Sequence, residues 1–520
     1  MWYVRPSVEV NMSKTEIISK VEWETINWNK VQRNVFKLQQ RIYKASLSND
    51  VTILHKLQKL LVKSKDAKLL AVRKVCADRS FKSSPAGVDG IKFLSTEERS
   101  QLALNLKIDE KSRAAKQVWL PQLEGKQARP LKIPTLEDRA KQALLKLALE
   151  PEWEAYFEPN SYGYRPGRSP HDAIAAIYMA IAKRPAFVLR ANLAPCFPLL
   201  TREKVLEKIN TFPVFRRQIK AWLTCNAIDW NQWAQRKTYD RALNNVVQII
   251  TPLIANIVLH GMEQYLQKAF ASLTDKVPKL VRYADDIVIL CDDRTTLERC
   301  RVVFYRWLKQ TGLELETIQT HLTHTLEEFN GENMECSPGF DFLDLTIRQF
   351  KTKSKLSGFT TVIAPSKQEI ERHYRFLADR VKSCQAQSQS QLIGKLNPII
   401  RNWCEERSPW NCSKVFKKLD YLLWKRLWRW ATRRHPNKGK GWIVNKYWHP
   451  IGTSRWVFAT ISEGKQPYKL LKHSKFDAGK RWIKVEGARS PYEYEQSYWS
   501  QRINLEDLYI SNEVRCKQRH

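Results

Sequence analysis

The ten residues VRYADDIVIL, positions 281 to 290, constrain this chain more than any other stretch. Two apolar, β-branched runs flank a pair of adjacent acids, Asp285 and Asp286. Such runs read as strands, and Ala-Asp-Asp between them reads as a tight turn. The stretch predicts a hairpin with both carboxylates at its tip, projecting from a sheet, and its flanks are too apolar for an exposed sheet edge. In most proteins such a turn is simply solvated. Two acids at a strand tip also have the geometry to share a divalent cation, as phosphoryl transfer requires.

The hairpin belongs to a chain of 520 residues, too long for one ordinary core, so several domains are expected. Hydrophobic residues make up 43%, enough to build cores and to exclude wholesale disorder. Lys and Arg number 88 against 53 Asp and Glu, a formal charge of +35. That excess is self-repelling in isolation and points to a polyanionic partner, nucleic acid ahead of an anionic membrane surface. No membrane partner is expected, because no charge-free apolar run reaches the ~20 residues of a spanning helix. The longest candidate, VVQIITPLIANIVLHGM, is interrupted by Gln248, Pro252, Asn256 and His260 and reads as a buried segment. The start, MWYVRPSVEVNMSKTEII, lacks the basic-then-apolar order of a signal peptide, so the expected location is cytoplasmic. The 10 cysteines contain no CxxC pair and read as reduced thiols rather than a metal cluster.

Residues 23 to 75 carry Leu, Ile, Val and Lys at helical spacing, as in VQRNVFKLQQRIYKA, and predict a basic helical extension suited to RNA. FKSSPAGVDGI marks a boundary. RPLKIPTLEDRAKQALLKLALEPEWEAYF predicts a short strand, a Thr135 cap and a long helix; NSYGYRPGRSPHDAIAAIYMAI predicts a loop holding Arg165 and Arg168, then a helix starting near Ser169. FVLRANL reads as a short buried strand, TREKVLEKI as a helix, TPLIANIVLHGMEQYLQKAF as one long helix and FDFLDLTIRQF as a second hairpin. After residue 365 the pattern is helical.

Taken together, these blocks resemble the group II intron-encoded reverse transcriptase/maturases. YADD resembles the catalytic hairpin of reverse transcriptases. RPLKIPTLEDRAKQAL and NSYGYRPGRSPHDAI are similar to the family's first two fingers blocks, and TPLIANIVLHGMEQYL to its nucleotide-site helix. GLELETIQTHLTHTLEEF and GFDFLDLTIRQF resemble the last palm blocks; LIGKLNPIIRNW and RWATRRHPNKGKGWIVNKYW resemble the maturase region. The resemblance runs in the family's order from about Trp23 to Val514. It implies an α+β fold: a right-hand polymerase whose fingers and palm carry an antiparallel sheet, followed by an all-helical thumb. The implied divisions are a helical RNA-binding extension over 1–80, fingers and palm over 81–350, a thumb/maturase domain over 351–450 and a basic, aromatic segment over 451–520. The last resembles the DNA-binding region of relatives that continue into a Cys-rich HNH nuclease, and DNA cutting is not expected here.

The resemblance also shows where the chain departs from its family. Active members bind Mg2+ through the hairpin pair and a third Asp, from a block reading roughly Ala-Asp-Ile-x-x-x-Phe-Asp. Here that block is ANLAPCFP, with Asn192 in place of the metal-binding acid and Pro198 in place of the next. An amide brings no charge, and removing one electrostatic interaction from catalysis commonly costs about 10²-fold. Asn244-Asn245-Val246-Val247-Gln248 replaces a Gly- and Pro-Gln-rich loop, Gln319 stands where a triphosphate-assisting Lys is usual, and Asp344 replaces a turn Gly. Phe197 retains the aromatic that screens the nucleotide 2′-position. The expectation is a polymerase relic, with Mg2+ at Asp285 and Asp286 relevant only to residual activity. The alternative is an active RNA-directed DNA polymerase/maturase of a mobile intron.

The maturase region keeps its charge. Residues 414 to 448 hold Lys417, Lys418, Lys425, Arg426, Arg429, Arg433, Arg434, Lys438 and Lys440 among other cations, against a lone Asp420. Phe416, Leu419, Leu423, Leu427 and Trp430 fall at helical spacing and read as core. The cations, with Arg129, Arg165 and Arg168, are the candidate RNA contacts. The implied partners are group II intron RNA first, then a DNA target and a second copy of the chain.

Overall fold

The computed structural model describes residues 23–76, 86–120, 129–230, 249–272, 277–313, 319–330, 335–461, 466–476, 482–493 and 496–502. Among the described residues the first α-helices are α1 (Trp28–Leu47), α2 (Val51–Lys63), α3 (Lys65–Cys76) and α4 (Thr96–Asn105). Asn27, Asp50 and Ser95 cap three of them by accepting the backbone N–H three residues on. Strands β1 (Lys116–Leu120) and β2 (Arg129–Ile133) form an antiparallel pair before α5 (Leu136–Glu154), which Thr135 caps as expected. Helix α6 (Pro170–Ile181) starts after Ser169.

A four-stranded antiparallel sheet follows, built from β3 (Phe187–Asn192), β4 (Lys279–Tyr283), β5 (Asp286–Cys291) and β6 (Gln319–His324) in the order β4-β5-β3-β6. Between its strands lie α7 (Arg202–Ile209), α8 (Pro213–Thr224), α9 (Thr251–Val258), α10 (Met262–Ala269) and α11 (Arg294–Thr311). Beyond it come β7 (Phe329–Asn330), β8 (Glu335–Cys336), β9 (Phe340–Phe342), β10 (Leu345–Lys351) and β11 (Phe359–Pro365).

The sheet separates two cores. Strand side chains alternate between faces. Leu189, Ala191, Ile287 and Ile289 join a core with the N-terminal helices, α5 and α11. Val188, Val281, Val288 and Leu290 join a second with α6 and the C-terminal helices. Every residue of β5 is buried, which accounts for its continuous apolar run.

The C-terminal helices are α12 (Lys367–Ser383), α13 (Gln389–Arg407), α14 (Ser413–Arg434) and α15 (Lys440–Tyr447). The expectation of an all-helical thumb needs correction. Strand β11 lies within 351–450, and β12 (Trp448–Ile451), β13 (Ser454–Thr460) and β14 (Tyr468–Lys469) form a three-stranded sheet after the last of these helices. SRWVFAT is aromatic and β-branched, and Phe458 packs on Trp448 and Tyr447. The single long helix expected over 251–270 is two helices. Gly261 sits at φ +95°, and the buried Glu158 carboxylate accepts from the N–H groups of Gly261, Glu263 and Gln264, gathering the start of α10 into a new turn.

Helix α16 (Gln496–Arg502), the last among the described residues, and residues 482–493 fold back onto the chain's first half. Buried Asp172 accepts from Trp482 Nε1 at 3.1 Å, Val485 N at 2.8 Å and Arg502 Nη2 at 2.9 Å. Among the described residues no helix is long and apolar enough to cross a membrane.

Candidate polymerase-type site

Asp285 and Asp286 form the tip of the β4–β5 hairpin, as the sequence predicts. Ala284, just before them, takes φ +56°, a left-handed conformation that a residue with a side chain adopts only under constraint. The loop before α6 supplies it. Tyr162 N donates to Arg282 O, and Arg282 N donates to Asn160 O, both at 2.9 Å. Gly163 lies so close that a Cβ there would fall 2.3 Å from Ala284 N. Asn256 on α9 completes the clamp. Its Nδ2 donates to Gly163 O at 2.7 Å, while its Oδ1 accepts from Arg282 Nη1 at 2.9 Å. The same Nη1 reaches Ala284 O at 3.1 Å, and burial pulls the Arg282 guanidinium down to about 10.

β3 brings Asn192 to this tip. Across the sheet Asn192 stands in register with Asp286 on one side and with Gln319 on the other. One cross-strand row thus collects three positions spread over the sequence. Asn192 Nδ2 donates to Asp286 Oδ1 at 2.7 Å and to Asp285 Oδ2 at 3.3 Å, while its Oδ1 accepts from Ala194 N at 3.2 Å. The amide therefore turns its donor toward both carboxylates and its acceptor away. A divalent cation needs anionic oxygens converging on one point. An NH2 group between the acids does not fit that need, and among the described residues no group of three or more His, Cys, Asp and Glu is arranged to hold a metal. Phe197 is fully buried, its ring 5.1 Å from that of Trp230.

The loop 244–248 lies outside the described residues, as do the side chains of Gln319 and Arg129; both residues have their backbone at the start of a strand. Asp344 lies in a turn at φ +65°, the left-handed region that favours glycine, and its carboxylate accepts from Arg372 at 3.0 Å.

Two candidate RNA contacts are corrected. Arg165 makes a buried bidentate pair with Glu154, both bonds at 2.9 Å, and its Nη1 donates to the carbonyls of Glu158 and Ser161. Arg168 is buried too, donating to the carbonyls of Pro159, Gly487 and Arg489. Both hold loops together instead of facing solvent. The α14 cations behave otherwise: Lys417, Lys418, Lys425, Arg429 and Arg433 lie at least partly open to solvent, and Arg426 is half-buried. Lys438 and Lys440 are exposed before and at the start of α15. Arg434 is partly committed, donating to the carbonyls of Gln385 and Gln387. Residues that sequence reasoning missed are Gly163, Asn256 and Arg282, which shape the hairpin tip, and Asp172, which anchors the C-terminal fold-back.

Residues 121–385 match the family model for reverse transcriptase (RNA-dependent DNA polymerase), residues 23–106 the N-terminal domain of reverse transcriptase, and residues 370–448 the group II intron, maturase-specific domain. The chain is 27% identical over 425 residues to maturase-like protein 1 of Euglena gracilis, covering 75% of this chain and 78% of that protein. It is 30% identical over 207 residues to protein YkfC of Escherichia coli, covering 36% of this chain and 51% of that protein. It is 28% identical over 154 residues to the group II intron-encoded protein LtrA of Lactococcus lactis, covering 29% of this chain and 25% of that protein. The reverse transcriptase match spans the acid-tipped hairpin and its antiparallel sheet and places the chain in the RNA-directed DNA polymerase class. Within that class, with a maturase-specific domain following, the chain belongs to the group II intron-encoded reverse transcriptase/maturase family.

Proposed function

We propose that this chain is a maturase that binds structured group II intron RNA and assists its splicing, with a reverse transcriptase domain that no longer polymerises. On this reading the antiparallel sheet is the palm of a right-hand polymerase retained as scaffold, residues 1–80 are an RNA-binding extension, and 351–450 with the β12–β14 sheet are the thumb/maturase unit. The observation that carries the loss of polymerisation is the Asn192 amide, whose NH2 group lies 2.7 Å from one acid of the hairpin and 3.3 Å from the other. That donor takes the place of a cation between two carboxylates, neutralising them by hydrogen bonding without supplying a Lewis acid.

RNA binding rests on the charge of +35 and on the run of solvent-facing cations along α14. The RNA itself performs the transesterifications; the protein needs only charge and shape to hold it folded. The deciding experiment is primer extension on an RNA template with Mg2+ or Mn2+, beside a splicing assay on a group II intron RNA. Splicing stimulation without extension is the expected result. Extension by the unaltered protein would establish the active-polymerase reading instead.

A further inference from the structure

On helix α14 the side chains at 417, 421, 424 and 428 follow the spacing of one helix face. Trp424 and Trp428 stack with centroids 6.0 Å apart and planes 21° from parallel. Trp428 in turn packs on Trp448 at 5.5 Å. Trp448 is buried in the second core at 4% exposure, whereas Trp424 is 38% exposed and Tyr421, one turn before it, is 55% exposed. Trp424 and Trp428 thus form a stacked pair that rests, through a 43° tilted contact of Trp428 with Trp448, on the core and is open at its outer end. Lys425 Nζ sits 4.4 Å from the Tyr421 ring centroid, and Lys417 is exposed one turn earlier. The helix's single acid, Asp420, is held by His473 Nδ1 at 2.8 Å and by His473 N and Ser474 N, and one carboxylate leaves the cations of α14 well in excess.

We propose that Trp424 and Tyr421 form a stacking platform for unpaired RNA bases, with Lys417 and Lys425 holding the adjoining phosphates. The proposal rests on the RNA-binding reading above and adds a substrate class: single-stranded loops or bulges rather than duplex. An aromatic plane whose inner side is already occupied by a near-parallel ring extends naturally by one more π surface, and a base supplies it. Base–aromatic stacking is sequence-tolerant, and the neighbouring cations favour a polyanion over an apolar protein surface. Duplex RNA offers phosphates but no free base face, so it engages the lysines alone.

The test uses the full chain with two labelled RNAs: a hairpin with an adenosine loop, and a fully paired duplex of the same length. Trp424→Ala is expected to weaken loop binding about tenfold and duplex binding less than about twofold, while Trp424→Phe keeps most of the loop affinity. Lys417→Ala with Lys425→Ala is expected to weaken both and to flatten the salt dependence. Equal weakening of both RNAs by Trp424→Ala, or no change in either, would overturn the platform, the latter leaving the ring to a protein partner. Failure of the unaltered protein to bind either RNA would remove the RNA-binding reading itself, which is a distinguishable outcome.

Discussion

Asn192 and Asp286 face each other across β3 and β5, in register and joined by a 2.7 Å hydrogen bond from the amide to the carboxylate. The same amide also reaches Asp285 Oδ2 at 3.3 Å, so one side-chain donor serves both acids of the hairpin. Two adjacent carboxylates, Asp285 wholly buried and Asp286 nearly so, repel one another unless something neutralises them. In this structure the Asn192 NH2 group donates to both of them.

Restoring the acid should therefore destabilise the metal-free protein. Asn192→Asp places a third carboxylate against the pair and removes the donor, and we expect a loss of about 2 kcal/mol in chelator. Added Mn2+ should recover that loss by binding only the folded state. Thermal melts of both proteins, with chelator and with Mn2+, check it. A metal-induced rise in the unaltered protein as large as in the variant would show that Asn192 already accommodates the ion.

Gly163 is held by the hairpin rather than by its own backbone. A methyl group at this position collides with Ala284 N at 2.3 Å and Ala284 Cβ at 2.9 Å, and neither can retreat from a turn clamped by Asn256 and Arg282. Gly163→Ala should cost about 3 kcal/mol, at the upper end of overpacking penalties, read as a fall in the urea midpoint with unchanged slope. A midpoint within experimental error of the parent would mean that the loop and the hairpin separate easily.

How much of this is legible in the sequence follows from range. The YADD hairpin, β3 and the Thr135 and Ser169 starts are legible because local periodicity and capping chemistry set them. The core stripe Phe416, Leu419, Leu423, Leu427 and Trp430 is legible for the same reason and is buried. Arg165 misleads because a loop arginine looks like a phosphate ligand until Glu154, on the preceding helix, is seen to hold both its ends. The helix break at Gly261 depends on Glu158, a residue distant in sequence from α10. The fold-back onto Asp172 depends on residues more than 300 positions away, which no local pattern encodes.

The Arg165–Glu154 pair makes a prediction about charge. Both side chains are essentially inaccessible, at 0% and 1% exposure. Removing Arg165 alone should destabilise by about 3–5 kcal/mol, because Glu154 would be left buried and unpaired. The double change Arg165→Met with Glu154→Leu should recover part of that loss, the remainder reflecting the carbonyls of Glu158 and Ser161 left without their Nη1 donor, and the salt dependence of RNA binding should keep its slope. Lys417→Ala or Lys418→Ala, each at an exposed cation, should lower that slope by about 0.7 to 0.9 for each phosphate the protein no longer neutralises. A slope that falls with the apolar pair would return Arg165 to the RNA-binding set.

Glu152 supplies a pH dependence opposite to that of an ordinary ion-paired acid. It lies on α5 facing Gln58 of α2, whose Nε2 donates to Oε2 at 2.6 Å, and burial pushes its carboxyl up to about 7 despite that bond. The folded protein thus keeps a proton that the unfolded chain releases near 4.5. The stability this group contributes is fully present below about pH 4.5 and is lost as the pH rises to about 7, a change of ~3 kcal/mol. His260 and His373, pulled down to about 4 and about 3 by burial, lose stability toward acid instead, so the raw profile mixes the two signs. The difference between the parent protein and Glu152→Gln isolates the carboxyl, since the amide preserves an acceptor for Gln58. Measured by urea unfolding from about pH 4.5 to about pH 8, the variant should gain on the parent as the pH rises. A difference that stays flat across that range would mean that Glu152 is ionised and solvated in the folded protein.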